Sequence, residues 1–234
     1  MLKPSKKIVK KEIKQDPLLS TYAQATSLYY EYKKYVSYGV TALILLVIGI
    51  IVFINNRRGN DEKASAELGK IIFVYDAGAN DPAQYNIAIN GQPERNLMGL
   101  KTIVENYGGS EAGEMARFLL ANAYRNIGQY DDAIKQYNDF SGGTDLLKAS
   151  VFAGLAACYE AKHDYAKAAS EYERAASTIN TPTGIPEYMN GAARCYGLSG
   201  EKEKAVSLFK RLKKEYPTST YAREADRYIS QFSA

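Results

Sequence analysis

Catalysis needs nucleophiles, general acids and bases, or metal ligands, and few residues here have the type and spacing to serve. His163 is the only histidine, which excludes a histidine-based triad or a multi-histidine metal site within one chain. Cys158 and Cys195 are too few for a disulfide framework and form no C-x-x-C pair. Asp131-Asp132 resembles a carboxylate pair for acid–base work. At the start of a helix, however, two acids complement the positive end of the helix dipole. The sequence has no phosphate-cradling P-loop, zinc-protease helix, nucleophile elbow or dinucleotide fingerprint. The expectation is a non-enzyme with no catalytic residue, metal, cofactor or small-molecule substrate.

The elements that surround these residues are more informative. With 46% hydrophobic and 24% charged residues, the chain has the balance of an ordered protein. Tyrosine is over-used at 20 copies while tryptophan is absent. Tyrosine suits helices that pack with one edge wet, because the ring buries area while the hydroxyl stays hydrated. Residues 1–34 hold eight lysines against three acids, so the chain's whole excess of +4 lies in this arm. The remainder is close to neutral, and nucleic-acid binding by it is not expected.

Residues 35–56 carry no formal charge, and 39–54 read GVTALILLVIGIIVFI. About 20 apolar residues cross roughly 30 Å of hydrocarbon, and Tyr35 and Tyr38 stand where interfacial tyrosines belong. The lysine-rich region ahead is too long for a signal peptide, and NNRRGNDEK follows in place of a cleavage site. The reading is a retained transmembrane helix over 35–56, with a buried core helix as the alternative. Lysines upstream outweigh Arg57, Arg58 and Lys63, so the N-terminus is expected in the cytoplasm and the C-terminal body across the membrane. The basic arm would touch anionic lipid. Within it, 16–34 read either as an amphipathic helix on the membrane face or as an extension of the span.

Three segments align on one template: 117–140 (RFLLANAYRNIGQYDDAIKQYNDF), 152–175 (FAGLAACYEAKHDYAKAASEYERA) and 189–212 (MNGAARCYGLSGEKEKAVSLFKRL). Ala121, Ala156 and Ala193 are equivalent, each followed three residues on by Tyr124, Tyr159 or Tyr196. Ala133, Ala168 and Ala205 are equivalent, each followed four on by Tyr137, Tyr172 or Phe209. Small residues permit close helix crossing and the aromatics fill the space between units. Residues 96–110 mirror 205–219, with Leu100 and Ile103 in place of Phe209 and Leu212. Between 76 and 95 lie turn formers with little helical periodicity.

This pattern resembles the tetratricopeptide repeat, a helix–turn–helix unit of 34 residues, although the usual tryptophan is missing and the usual proline appears only as Pro217. The resemblance implies an α-solenoid of the tetratricopeptide type, and with the span read above the chain is expected to be all-α: a single N-terminal transmembrane helix, then the solenoid. The organisation expected is an arm over 1–34, the span over 35–56 and the repeat domain over 57–234. Within that domain a degenerate first repeat covers 61–110 with an insertion at 76–95. Repeats follow over 114–147, 149–182 and 186–219, with a capping helix over 220–232. In this family, groove-facing positions lie one and four residues beyond the first small residue. They map to Asn122 and Arg125, Ala157 and Glu160, and Arg194 and Gly197, with Asn126, Glu187 and Asn190 expected on the same face. These are candidate contacts for an extended peptide. His163 falls in the turn between paired helices, and the two cysteines are expected to be buried free thiols.

A short tail, one span and an exported repeat body resemble the YfgM-like family of bacterial inner-membrane proteins. That resemblance implies a periplasmic scaffold whose partners are translocon subunits, chaperones or exported clients. Residues 216–229 (YPTSTYAREADRYI) are also similar to repeats of envelope-assembly proteins. A fixed subunit of a larger membrane complex is a further alternative.

Overall fold

The computed structural model describes residues 17–233. The lysines of the arm from Lys3 to Lys14 lie outside the described residues. The chain divides into two compact units between Asn55 and Asn56. One helix, α1 (Pro17–Ala77), contributes to both. In the first unit, the tyrosine-rich stretch and the uncharged stretch belong to this same helix. α1 is long and apolar enough to cross a membrane, and none of its most apolar window is buried. Leu43 and Phe53, for example, are each about two-thirds exposed.

The second unit is almost wholly helical. After the end of α1 come α2 (Ala83–Asn90) and a two-stranded antiparallel hairpin, β1 (Gly91–Gln92) with β2 (Leu97–Met98). Then follow α3 (Leu100–Tyr107), α4 (Glu111–Asn126), α5 (Tyr130–Asp139), α6 (Asp145–Ala161), α7 (Tyr165–Thr178), α8 (Ile185–Leu198), α9 (Lys202–Glu215) and α10 (Thr220–Ser233). The turn-rich stretch 76–95 thus contains a helix. Tyr85, Ala88 and Ile89 stand at helical spacing and are buried, which holds this short helix against α4 where its propensity alone would not.

Helix starts follow local chemistry. Ser110 caps α4 by accepting from the Gly113 N–H at 3.0 Å, and Thr144 caps α6 by accepting from the Leu147 N–H at 3.3 Å. Asp164 caps α7 through the Lys167 N–H and pairs with the Lys167 side chain; that hydrogen bond holds its carboxyl below the ordinary range.

The core runs through the second unit in successive patches. Ala64 and Ile71 of α1 meet Tyr85, Leu100, Ile103 and Leu120. Ala121, Ala133, Tyr137 and Leu155 form the next patch. Ala168, Ala193, Ala205, Phe209 and Leu212 form the largest, closed by Ala225 and Phe232 of α10. The alanines at the helix crossings are fully buried, as are Leu100 and Ile103, the counterparts of Phe209 and Leu212.

Candidate functional site

The turn that reverses the chain inside each helix pair is built identically three times. The Gln129, Asp164 and Glu201 N–H groups donate to the Tyr124, Tyr159 and Tyr196 carbonyls, each at 2.9 Å. The preceding residues, Gly128, His163 and Gly200, donate to Arg125, Glu160 and Gly197. This is a Schellman ending, and its pivot requires a left-handed backbone. Gly128 and Gly200 adopt it at φ 80° and 95°. His163 adopts it at φ 60°, the strained counterpart of two glycines.

Between successive pairs, an aromatic of one unit sits on a glycine of the next. A methyl group at Gly154 would overlap the Tyr137 ring, and one at Gly191 would lie 3.0 Å from the Tyr172 ring. The two glycines occupy equivalent positions, so the contact is itself repeated. Lys162, in the turn of the second pair, forms an ion pair with Asp131 at the start of α5.

These geometries define a solenoid of paired helices, and a tetratricopeptide-repeat family model matches residues 115–141 and 191–219. The body is an all-α solenoid of the tetratricopeptide type. Its fold is similar to the crystal structure of a Podosopora anserina protein described as carrying nearly identical kinesin-light-chain TPR-like repeats, and to that of a variant of the same protein. Both are 16% identical to this chain with a TM-score of 0.56, covering 72% of it and 86% or 85% of their own length. This likeness is one of fold alone. No curated protein matches the chain in sequence.

The tetratricopeptide frame places the candidate groove residues in three situations. Asn122, on α4, accepts a hydrogen bond from the Tyr137 hydroxyl of α5 at 2.6 Å. Arg125, half-buried on the same helix, makes no ion pair among the described residues, and its charge reaches the Tyr75, Tyr137 and Cys158 side chains. Asn126 is exposed. Glu160 and Arg194, from adjacent pairs, form an ion pair, and Glu160 also accepts from the Tyr172 hydroxyl at 3.2 Å. Glu187 is exposed at the start of α8. Asn190 is buried, and its Oδ1 has no hydrogen-bond partner among the described residues. Gly197 is covered by the Phe232 ring of α10, so the third pair offers less open surface than the repeat template implies.

The open polar positions therefore concentrate on α4, around Arg125 and Asn126. An arginine without an internal partner hydrogen-bonds a carboxylate or backbone carbonyls in a fork geometry. Tyr75 comes near Arg125 from the end of α1, a neighbour 50 positions away that no repeat template includes. Burial pushes the Tyr75 hydroxyl up to about 12, opposed by the Arg125 charge. Among the described residues, no cluster of His, Cys, Asp or Glu is arranged to hold a metal. Both cysteines are free and buried. Burial raises the Cys158 thiol to about 11 and the Cys195 thiol to about 12, far from the range of a reactive thiolate. The repeats are of the tetratricopeptide type, a protein-interaction module.

Proposed function

We propose that the chain is a membrane-anchored scaffold whose repeats hold a polypeptide partner beside the bilayer. One observation carries this reading. Among the described residues, none of the most apolar window of α1 is buried, and the helix leads directly into a folded repeat body. Soluble monomers rarely leave so large an apolar surface in water. Lipid satisfies it, and a helix satisfies its own backbone within lipid.

The lysine excess upstream orients the N-terminus to the cytoplasm, and in a double-membrane bacterium the repeat body then lies in the periplasm. The resemblance to YfgM-like proteins supports an accessory role at the export site, with translocon subunits, chaperones or exported clients as partners. The peptide-facing residues of this reading are Asn122, Arg125, Asn126, Glu160, Glu187 and Arg194, with the buried Asn190 behind them, and Arg125 is the leading contact because it makes no ion pair among the described residues. In-cell photo-crosslinking from position 125, with the anchor intact, tests the proposal. Adducts with translocon subunits, chaperones or emerging chains support it. Adducts with one defined complex and nothing else replace it with a fixed structural subunit.

A further inference from the structure

An open cavity of 830 Å³ lies away from the groove positions, at the N-terminal ends of α4 and α6. Its apolar lining includes Leu68, Met115, Phe118, Phe140 and Leu146, and the exposed Arg57 also lines it. Four large apolar side chains are exposed among residues 56–233: Phe73, Met115, Leu146 and Leu198. Two of the four, Met115 and Leu146, line this one cavity. Apolar surface left in water is unfavourable, so an apolar occupant is favoured.

The less exposed carboxylates around the cavity are already engaged. Asp61 accepts from the Ala112 N–H at 2.7 Å. Glu114 accepts from the Ser141 N–H at 2.6 Å and pairs with Arg117. Arg57 and Glu111 are both exposed and make no ion pair among the described residues. One exposed cation and one exposed anion beside an apolar cavity match a zwitterionic head carrying an acyl chain. Arg57 also follows directly on the uncharged stretch 35–56.

We infer that this cavity takes an acyl chain of a zwitterionic phospholipid, its phosphate at Arg57 and its ammonium group at Glu111. The inference rests on the membrane reading above. The lipid is the membrane's own, and its binding would tie the repeat body to the bilayer that holds the span.

The absence of tryptophan makes a direct test available. The full-length chain carrying Leu146→Trp, and separately Leu198→Trp, is reconstituted into phosphatidylethanolamine–phosphatidylcholine vesicles brominated at mid-chain. Leu198 is exposed and does not line the cavity. Emission from the Leu146→Trp chain is expected to fall roughly twofold or more through contact with acyl bromines, and that from Leu198→Trp to stay nearly unchanged. Adding Arg57→Gln with Glu111→Gln should restore most of the lost emission. Equal quenching of both reporters, or none at position 146, overturns the inference. So does a shift in emission that depends on protein concentration, which would make the occupant a second copy. Flotation with the vesicles separates the two readings: a chain that floats without quenching at position 146 loses only the cavity, whereas one that fails to float loses both.

Discussion

His163 shows how one residue can satisfy a repeat while working against its own chemistry. A side chain in the left-handed region costs on the order of 1 kcal/mol that glycine does not incur. The imidazole recovers part of this by a 2.8 Å hydrogen bond between Nδ1 and the Tyr165 hydroxyl, which is exposed. His163→Gly is therefore expected to stabilise the fold by up to about 1 kcal/mol, measured as a higher urea midpoint with an unchanged slope. Buried thiols and phenols set the alkaline limit. Burial raises Cys158 from 9.0 to about 11, Cys195 from 9.0 to about 12 and Tyr75 from 10.0 to about 12, and it moves Tyr137 and Tyr172 further in the same direction. Each group holds its proton more tightly folded than unfolded. The stabilisation is thus complete below pH 9 and declines as pH rises from 9 to 12. Denaturant titrations across that window should show falling stability, and native thiols should resist alkylation at pH 8 until the chain opens. His163 and the free thiols were legible in the sequence because a turn and a helix face are local properties. The isolation of Asn190 was not, since it depends on what α8 packs against.

The helix pair is held to its neighbours by aromatic rings lying on glycines. Gly154→Ala is expected to cost about 1–3 kcal/mol, because the Tyr137 ring must leave a packed position. Gly191→Ala should cost less, since a methyl there would lie 3.0 Å from the Tyr172 ring, a separation that a small shift relieves. Thermal melts of the two variants side by side check the order. Asn122→Ala removes the acceptor of the Tyr137 hydroxyl and should cost about 1 kcal/mol. In the sequence, the small–aromatic spacing marks the paired helices clearly. The glycines can be seen there too, but their purpose cannot, because each contact joins side chains from different units.

The solenoid as a whole has unlike ends. At its C-terminal end α10 seals the stack: Phe209 stacks on Tyr228 with centroids 5.0 Å apart, and Phe232 lies alongside both. Deleting 220–233 would expose Phe209, now fully buried, and uncover Gly197. A solenoid needs such a cap. Loss of the burial at Phe209 and its neighbours should cost at least about 3 kcal/mol and promote self-association, visible in light scattering of the truncated body. At the other end, the second half of α1 serves as the first helix of the stack, since Ala64 and Ile71 are fully buried there. A body begun at residue 57 should unfold cooperatively. One begun at residue 78 should not, because the patch around Leu100 and Ile103 would lose its cover.

Periodicity and composition are local quantities, and they were enough for the helical class, the repeating helix pairs and the long uncharged stretch. They also placed the two thiols in the interior and His163 in a turn. Contacts between units depend on how separate helices meet, and no repeat template contains that information. Such contacts pair Glu160 with Arg194, bury Asn190, leave Arg125 without an ion pair among the described residues and bring Tyr75 of α1 near it. They also gather Met115, Phe118 and Leu146 around one cavity, although the three belong to two helices and carry no shared spacing. Residues on one helix meet because 3.6 residues make a turn, whereas residues on different helices meet only because packing excludes water from the surface between them.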